Sequence, residues 1–496
     1  MSLENPIYKK MTYCNPMSLP CCPKGEDNGW KAMEYTNEPP QDYRSISDPS
    51  VLYYDNKWYL YPSYGMAFVS EDFVTWKHVR TNPYNMKYSP SVIPHRGKFL
   101  LTGHSQGLYI GETPTGPFDY VGEFITAEGK VYTPHDGAPI QPLDSALFLD
   151  DDGKIYLYWF DMRFDKEMNV PVCQTWGVEL DGDRPNHFCT EPYLIHEFNG
   201  DNYWERDGQY NQDTKFGWVE GQWMFKHNGR YYMIYSSPGT TYKSYCMAAY
   251  YSDEGPLTGF VCQKNNPVTE HRQGLVSGAG HGSIAHGPNG TIWAFYTVSM
   301  GGTHPFERRI GMDPIGIDEN GELYCPNISD TPHLGALEEE FELGNNSAGL
   351  LPLTFIHRHH IKSSSCAPGR STMYAFDESM FSWWQPAADD KEPTLYVDLE
   401  SQYVCEASRI IWRDINIDYA SGALPGPYKY IIEGREKVGE GEFTTILDMS
   451  CNEEDYNIDY RAFKPVVCRE IRLRILGWPQ GITPAVISFT VFGTRL

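Results

Sequence analysis

One alternating pattern recurs five times in the first two thirds of the chain: an apolar run, a tight turn, and a second run rich in tyrosine or other aromatic residues. The turns contain Asn-Lys, Gly97, Asp-Gly, Asn-Gly and Asn-Gly in order, and short turns of this kind between apolar runs are strong hairpin signals. The copies read DPSVLYYDNKWYLYPS, SPSVIPHRGKFLLTGHS, DSALFLDDDGKIYLYWF, EGQWMFKHNGRYYMIYSS and HGSIAHGPNGTIWAFYT, from Asp48, Ser89, Asp144, Glu220 and His281.

The spacing of these copies indicates the architecture. Their first residues lie 41, 55, 76 and 61 positions apart, which leaves room for a four-stranded blade and variable insertions in each repeat. We therefore predict an all-β chain with a five-bladed β-propeller over residues 1–325. A plain β-sandwich with several hairpins is the alternative that this pattern leaves open.

Composition narrows the range of partners. With 40 Lys and Arg against 65 Asp and Glu, the net charge is −25 and no basic stripe appears, so neither nucleic acid nor an anionic membrane surface is an expected partner. No apolar run is long enough to span a bilayer. The twelve cysteines lack zinc-site spacing, and we expect mostly free, buried thiols and no metal cluster.

The first residue of each repeat carries the candidate chemistry. In a propeller the inner strands converge on a central channel, so Asp48, Ser89, Asp144, Glu220 and His281 are expected to meet at one face. Packing alone would favour small or apolar residues at such positions. Facing carboxyls among aromatic residues are suited to glycosidic bond cleavage, and a third carboxylate would raise the pKa of the acid.

The chain resembles glycoside hydrolase family 43 over roughly residues 12–325. Besides the acids, the likeness includes Asn15-Pro16 before the first repeat, the phrase SEDFVTW from Ser70, and TGPF from Thr115. The resemblance implies inverting hydrolysis, with Asp48 as general base, Glu220 as general acid and Asp144 tuning and orienting that acid. The base and acid carboxyls should then lie about 6.5 to 9.5 Å apart, leaving room for a water molecule.

The resemblance also implies residues that contact the sugar. An arginine in the last blade corresponds to Arg309, with Arg308 the alternative if the register shifts by one. Tyr88 and Ser89 are expected to line the sugar site. His281 corresponds to an axial histidine that helps to bind a sugar and, through water, a calcium or other ion in the channel. The chain departs from the family pattern at Ser91 and Gln222, which leaves the sugar undefined.

The C-terminal third follows a different pattern. Residues 326–360 are interpreted as a linker packed on the propeller, and residues 361–496 as a β-sandwich. The phrases AFD from Ala375, VDL from Val397 and VFG from Val491 resemble the discoidin-like, coagulation-factor type C jelly rolls, a fold shared with many carbohydrate-binding modules. Trp383, Trp384 and Trp478 are candidates for stacking on sugar, and a structural brace is the alternative role for the domain.

The expected activity is exo-acting hydrolysis of α-L-arabinofuranosides, β-D-xylosides or both in plant-type oligosaccharides or polysaccharides. An endo-arabinanase, a galactan-cleaving enzyme and an inactive glycan-binding propeller stay open as alternatives. The related fructan-hydrolysing propellers are disfavoured because the chain lacks their Arg-Asp-Pro motif. No apolar leader is evident at Met1, so we expect a secreted or periplasmic protein with its signal peptide removed, a cytoplasmic one being the alternative.

Overall fold

A computed structural model describes residues 6–22, 45–63, 65–81, 88–134, 141–167, 169–300, 305–414 and 426–496. The protein is almost entirely β, and the prediction of a five-bladed propeller is confirmed. Before the first blade come a 3-10 helix (Ile7–Lys9), β1 (Thr12–Tyr13) and β2 (Pro20–Cys22). No helix in the ranges above is long and apolar enough to cross a membrane.

Each blade is an antiparallel sheet of four consecutive strands. Blade one has β3 (Ser50–Tyr54), β4 (Lys57–Tyr61), β5 (Met66–Ser70) and β6 (Lys77–Arg80). Blade two has β7 (Ser91–His95), β8 (Lys98–Thr102), β9 (Leu108–Gly111) and β10 (Phe118–Gly122). Blade three has β11 (Leu143–Leu149), β12 (Ile155–Asp165), β13 (Val170–Leu180) and β14 (Tyr193–Glu197).

The last two blades follow the same order. Blade four has β15 (Glu220–His227), β16 (Arg230–Ser237), β17 (Cys246–Ser252) and β18 (Val261–Cys262). Blade five has β19 (Gly280–His286), β20 (Ile292–Ser299), β21 (Arg308–Ile317) and β22 (Leu323–Tyr324). Further 3-10 helices are Tyr203–Glu205 and Pro288–Gly290.

The first and last blades close the ring by packing. Inner strand β19 contacts inner strand β3, and both blades contribute to one hydrophobic cluster that contains Trp58, Phe73, Trp293 and Phe295. The N-terminal segment reinforces this junction, because the Asn15 side chain both donates to the Met312 carbonyl and accepts from the Met312 amide on β21. Closure therefore depends on side chains and on the segment before blade one.

The C-terminal domain is built on a seven-stranded antiparallel sheet. Its elements are β24 (Leu351–Pro352), helix α1 (Leu353–Ile356), β25 (Ile361–Ser363), a 3-10 helix (Thr372–Ala375), β26 (Thr394–Trp412), β27 (Lys429–Arg435), β28 (Thr444–Asp448), β30 (Ile458–Gly477) and β31 (Val486–Arg495). The short β29 (Asp455–Tyr456) pairs instead with β2.

The segment predicted as a linker is partly structured. Its strand β23 (His333–Leu334) pairs with β1, as a segment packed on the propeller would. From Leu351 onward, however, it belongs to the C-terminal domain, because β24 pairs with β31 and Leu353 is part of that domain's core. The ten cysteines whose state the structure describes are free, and half of them are buried.

Candidate active site

The inner strands bring the candidate residues together. Strands β3, β7, β11, β15 and β19 contact one another in sequence around the channel, and β19 contacts β3. Asp48, Ser89, Asp144 and His281 all have positive φ angles, of 52°, 52°, 45° and 33°. Side chains other than glycine adopt this conformation only at a cost, and such strain is concentrated at functional sites. These four residues are therefore equivalent positions of the repeat, as predicted.

In blade four the equivalent position is Gly221, and Glu220 lies one residue before it. Gly221 has the positive φ angle of 64°, and a Cβ atom there would lie 2.8 Å from the His281 ring. The prediction that Glu220 itself occupies the equivalent position is wrong by one residue. Glycine at 221 permits the close approach of His281 while Glu220 still begins the inner strand.

Asp48 is held as an anion. Arg308 donates Nη1 to Oδ1 at 2.9 Å and Nη2 to Oδ2 at 3.0 Å, and the Ser63 hydroxyl donates to Oδ2 at 2.6 Å. Burial alone would raise the pKa of Asp48, but Arg308, His281 and Ser63 outweigh burial and hold this pKa below its ordinary value. The carboxylate is thus suited to accept a proton.

The arginine that reaches the site is Arg308, not Arg309. Successive side chains of a strand point to opposite faces, so Arg308 on β21 faces Asp48 and Arg309 faces the C-terminal domain, where it donates to Asn457 at 2.9 and 2.6 Å. The expectation for Arg309 therefore passes to Arg308, the stated alternative, whose contact with sugar stays a prediction.

Glu220 has the opposite electrostatic character. Its Oε1 accepts a hydrogen bond of 2.7 Å from the Tyr245 hydroxyl. Burial and the negative charge of Asp144 raise the pKa of Glu220 to about 8, against the lowering effect of Tyr245. Glu220 therefore carries a proton at neutral pH, as a general acid requires.

Asp144 is an anion beside this acid. Its Oδ1 lies 2.6 Å from Nδ1 of His104. Burial would raise the pKa of Asp144, but the interactions with His104 and His281 and a hydrogen bond from the Gly221 amide lower it overall. Burial would likewise lower the pKa of His104, but Asp144 raises it overall. The pair stays charged, and its negative member keeps Glu220 protonated.

His281 uses both ring nitrogens within the protein. Nε2 forms a short hydrogen bond with the Ser89 hydroxyl, and Nδ1 lies 3.4 Å from Oδ1 of Asp48. A cavity of about 20 Å³, room for about one water molecule, lies among the inner strands, and Asp48, Ser89, Asp144 and His281 are among the residues that border it. Tyr88 stands edge-on to His104, with ring centroids 5.7 Å apart.

These side chains do not fit a directly coordinated cation. Within the described ranges no group of three His, Cys, Asp or Glu residues is arranged to hold a metal ion. Calcium takes six to eight oxygen ligands, many more than one water molecule supplies. The water-shelled ion near His281 stays a prediction.

The sequence did not single out three of the contacting residues. His104 follows β8, Tyr245 precedes β17, and Ser63 follows β4, so all three lie near the ends of second or third strands of their blades. With 36 tyrosines in the chain, nothing marks Tyr245 in the sequence. Ser63 and His104 could have been sought just after the second strand of a repeat, since that end of the hairpin lies beside the first residue of the repeat.

Comparison with known proteins shows which family the chain belongs to. The family model described as glycosyl hydrolases family 43 matches residues 42–323, more than half of the chain. A β-D-galactofuranosidase of Aspergillus niger is 25% identical over 320 residues, 57% of this chain and 83% of that protein. The solved structures that resemble this one include a protein titled glycoside hydrolase, with 17% identity, a TM-score of 0.49, and coverage of 92% of this chain and 100% of that one. Another is an endo-1,4-β-xylanase of Bacteroides thetaiotaomicron, with 23% identity, a TM-score of 0.46, and coverage of 59% of this chain and 96% of that one.

Proposed function

As a member of glycosyl hydrolase family 43 this chain is a glycosidase, and we propose that it inverts the anomeric centre with Asp48 as general base and Glu220 as general acid. The observation that carries the proposal is the separation of the two carboxyls' pKa values, one lowered by Arg308 and the other raised to about 8 by burial and Asp144. Carboxyls whose environments move their pKa values apart are suited to opposite proton-transfer roles.

The reaction then needs one proton transfer on each side of the sugar. Glu220 donates its proton to the glycosidic oxygen as the bond to the anomeric carbon breaks. Asp48 accepts a proton from the water molecule that attacks this carbon from the opposite face. Oδ2 of Asp48 already accepts from Arg308, Ser47 and Ser63, so the less crowded Oδ1 is the expected partner of that water.

The proposed substrates are terminal α-L-arabinofuranosides and β-D-xylosides. The Aspergillus niger relative is named for β-D-galactofuranose, whose ring has the configuration of α-L-arabinofuranose with one more exocyclic carbon. A furanoside is therefore favoured over a pyranoside, and β-D-galactofuranosides are a second candidate substrate.

Two features support attack at chain ends. The side chains of Asp48, Asp144 and His281 are buried, as expected for a pocket that takes one terminal sugar. Leu143, at the start of β11, pairs with Phe160 of β12. Strand β12 continues beyond this pair through residues 161–165, which pair with the start of β13. This extension forms a hairpin that projects past the start of β11, beside the site. Such a hairpin would block a long polysaccharide from crossing the pocket.

For the C-terminal domain we propose a jelly-roll brace, not a sugar-binding module. Trp384 is fully buried in the domain core, and the Trp478 indole donates to the Ile482 carbonyl while it packs on the same core. Trp383 is partly buried and lies against Arg370, whose guanidinium carbon is 3.6 Å from the ring centroid. All three candidate tryptophans thus have partners within the protein.

The test compares nitrophenyl α-L-arabinofuranoside, β-D-xylopyranoside and β-D-galactofuranoside with unactivated oligosaccharides, linear arabinan and galactan. Wild type, Asp48→Asn and Glu220→Gln are assayed, and product anomers are followed by NMR. Glu205→Gln is a matched control. Glu205 is also buried and also accepts a hydrogen bond of 2.7 Å from a tyrosine hydroxyl, that of Tyr235, but it lies outside the site.

We expect inversion on a terminal pentofuranoside and no turnover by Asp48→Asn. Glu220→Gln should lose about 10²- to 10⁴-fold on unactivated substrates and much less on nitrophenyl glycosides, whose leaving group needs no protonation. Retention of configuration, or full activity of either mutant on unactivated substrates, would overturn the proposed mechanism. Cleavage of internal polysaccharide bonds alone would replace exo action by endo action.

A further inference from the structure

The C-terminal domain contacts the part of blade five that carries Arg308. Arg413, just after β26, donates Nη1 to both carboxylate oxygens of Glu307 at 2.6 Å. Two residues further, Arg309 donates Nε and Nη2 to the Asn457 side-chain oxygen at 2.9 and 2.6 Å. The residues on both sides of Arg308 are thus bound to the C-terminal domain.

These contacts are buried and well fixed. Glu307, Arg309, Arg413 and Asn457 are each no more than 3% exposed. Asn457 is fixed in turn by the Trp412 backbone. The Asn457 side-chain Nδ2 donates to the Trp412 carbonyl at 2.8 Å, and the Asn457 backbone carbonyl accepts from the Trp412 amide at 2.9 Å. A buried amide that is held by hydrogen bonds at both its oxygen and its nitrogen has little freedom to move.

Apolar residues close the same interface. Leu275 and Met300 of the propeller share one cluster with Ile411, Ile458 and Ile487 of the C-terminal domain. Ile411 and Ile458 directly precede Trp412 and follow Asn457 in the chain. The polar contacts to residues 307–309 therefore lie beside a dry, packed surface, where they are not exchanged for contacts with water.

The alternation of strand β21 links this interface to the active site. Arg309 points to Asn457 and Arg308 points to Asp48, so holding the first side chain fixes the height and rotation of the strand at the second. The two parallel hydrogen bonds from Arg308 to Asp48 need accurate alignment. A small shift of residues 307–309 would weaken them.

We propose that Asn457 and its partner Arg309 are positioning residues for catalysis, which hold Arg308 on Asp48 and so keep the general base ionised. This inference rests on the proposed role of Asp48. It makes the C-terminal domain part of what sets the acidic limit of the enzyme's pH range.

The test uses the full chain with Asn457→Ala, and with Arg309→Lys as a second variant that keeps the charge but not the two-nitrogen contact. Asn452→Ala is the matched control, because the Asn452 side chain, like that of Asn457, donates to the backbone within the C-terminal domain, here to the carbonyls of Tyr428 and Glu454. Tyr460→Phe is the interface control. It removes a hydrogen bond between the C-terminal domain and Thr12 of the N-terminal segment, which does not involve the start of β21. The readouts are kcat/KM against pH and the melting temperature.

We expect Asn457→Ala and Arg309→Lys to move the acidic limb of kcat/KM upward by roughly half to one pH unit, because a loosened Arg308 lets the pKa of Asp48 rise. At the optimum kcat/KM should fall about tenfold. Both controls should keep the wild-type limb, and if Asn457→Ala does not fold, Arg309→Lys decides.

The outcomes separate this inference from the proposed function. If Asn457→Ala and Arg309→Lys leave the acidic limb of kcat/KM unchanged, or lower kcat/KM equally at every pH, the positioning role is overturned. If Asp48→Asn is inactive in the same assay, the proposed mechanism stands even when the positioning role is overturned. If Asp48→Asn is active, the proposed mechanism itself is overturned.

Discussion

Replacing Tyr245 by phenylalanine should extend activity to higher pH. The Tyr245 hydroxyl donates to Glu220 Oε1 at 2.7 Å, and this bond stabilises the ionised form of the carboxyl. Without it the pKa of Glu220 should rise further above its present value of about 8, because burial and Asp144 act unopposed by the tyrosine. Glu220 would then keep its proton over a wider range.

The size of the effect follows from the difference between two hydrogen bonds. A bond to a charged group contributes about 1.5–3 kcal/mol and one between neutral groups about 1 kcal/mol. The ionised carboxylate therefore loses roughly 1 kcal/mol more than the protonated one when the hydroxyl is removed. Since one pKa unit corresponds to about 1.36 kcal/mol, the basic limb should move upward by roughly 0.7 of a pH unit.

The assay is kcat/KM from pH 5 to pH 10 on an unactivated oligosaccharide, because a nitrophenyl leaving group bypasses the acid. Tyr235→Phe is the control, since Tyr235 donates to Glu205 over the same 2.7 Å and is also buried, but does not contact the site. A basic limb that stays in place or moves downward in Tyr245→Phe would refute the assignment of that limb to Glu220 and its tyrosine.

Three other expectations follow from the same structure. Asp144→Asn should move the basic limb to lower pH and reduce kcat, because the charge that raises the pKa of Glu220 is gone; an unmoved limb would contradict this. Glu220→Gln should raise the melting temperature at pH 9 by several degrees relative to wild type, but not at pH 4. Between pH 4.5, the ordinary pKa of a glutamate, and pH 8 or so, the folded wild type holds a proton that the unfolded chain has lost, so its stability falls as pH rises. Equal pH dependence of stability in both proteins would be contrary evidence. Trp384→Ala should destabilise the C-terminal domain by about 3–5 kcal/mol in denaturant unfolding, and a loss of glycan binding without loss of stability would point to a sugar contact instead.

The propeller was predictable because its signals are local. Each hairpin combines a turn dipeptide with flanking apolar runs, and neither depends on distant residues. The candidate acids were identifiable for a related reason. A polar or charged residue directly before a buried strand, repeated once per blade, is hard to explain by packing, and Asp48, Asp144 and His281 indeed share one backbone conformation.

What could not be predicted depends on the phase of a strand. Nine of the ten residues of β21 are buried, so no alternation of polar and apolar residues shows which of Arg308 and Arg309 faces the channel. The same difficulty affects blade four, where Gly221 takes the strained position and Glu220 shifts by one. Partners such as His104 and Tyr245 come from other parts of the repeat, and only the folded chain brings them to the acids.

The ion pair between Asp48 and Arg308 joins residues 260 positions apart, in the first and last blades. A contact of such high sequence separation closes a very long loop, whose entropic cost must be met before the contact stabilises the fold. During synthesis, blade one leaves the ribosome long before Arg308 has been added, and the contacts of Asn457 follow later still. The proposed catalytic site is thus complete only when nearly the whole chain exists, so truncated chains should be inactive regardless of how well their early blades fold.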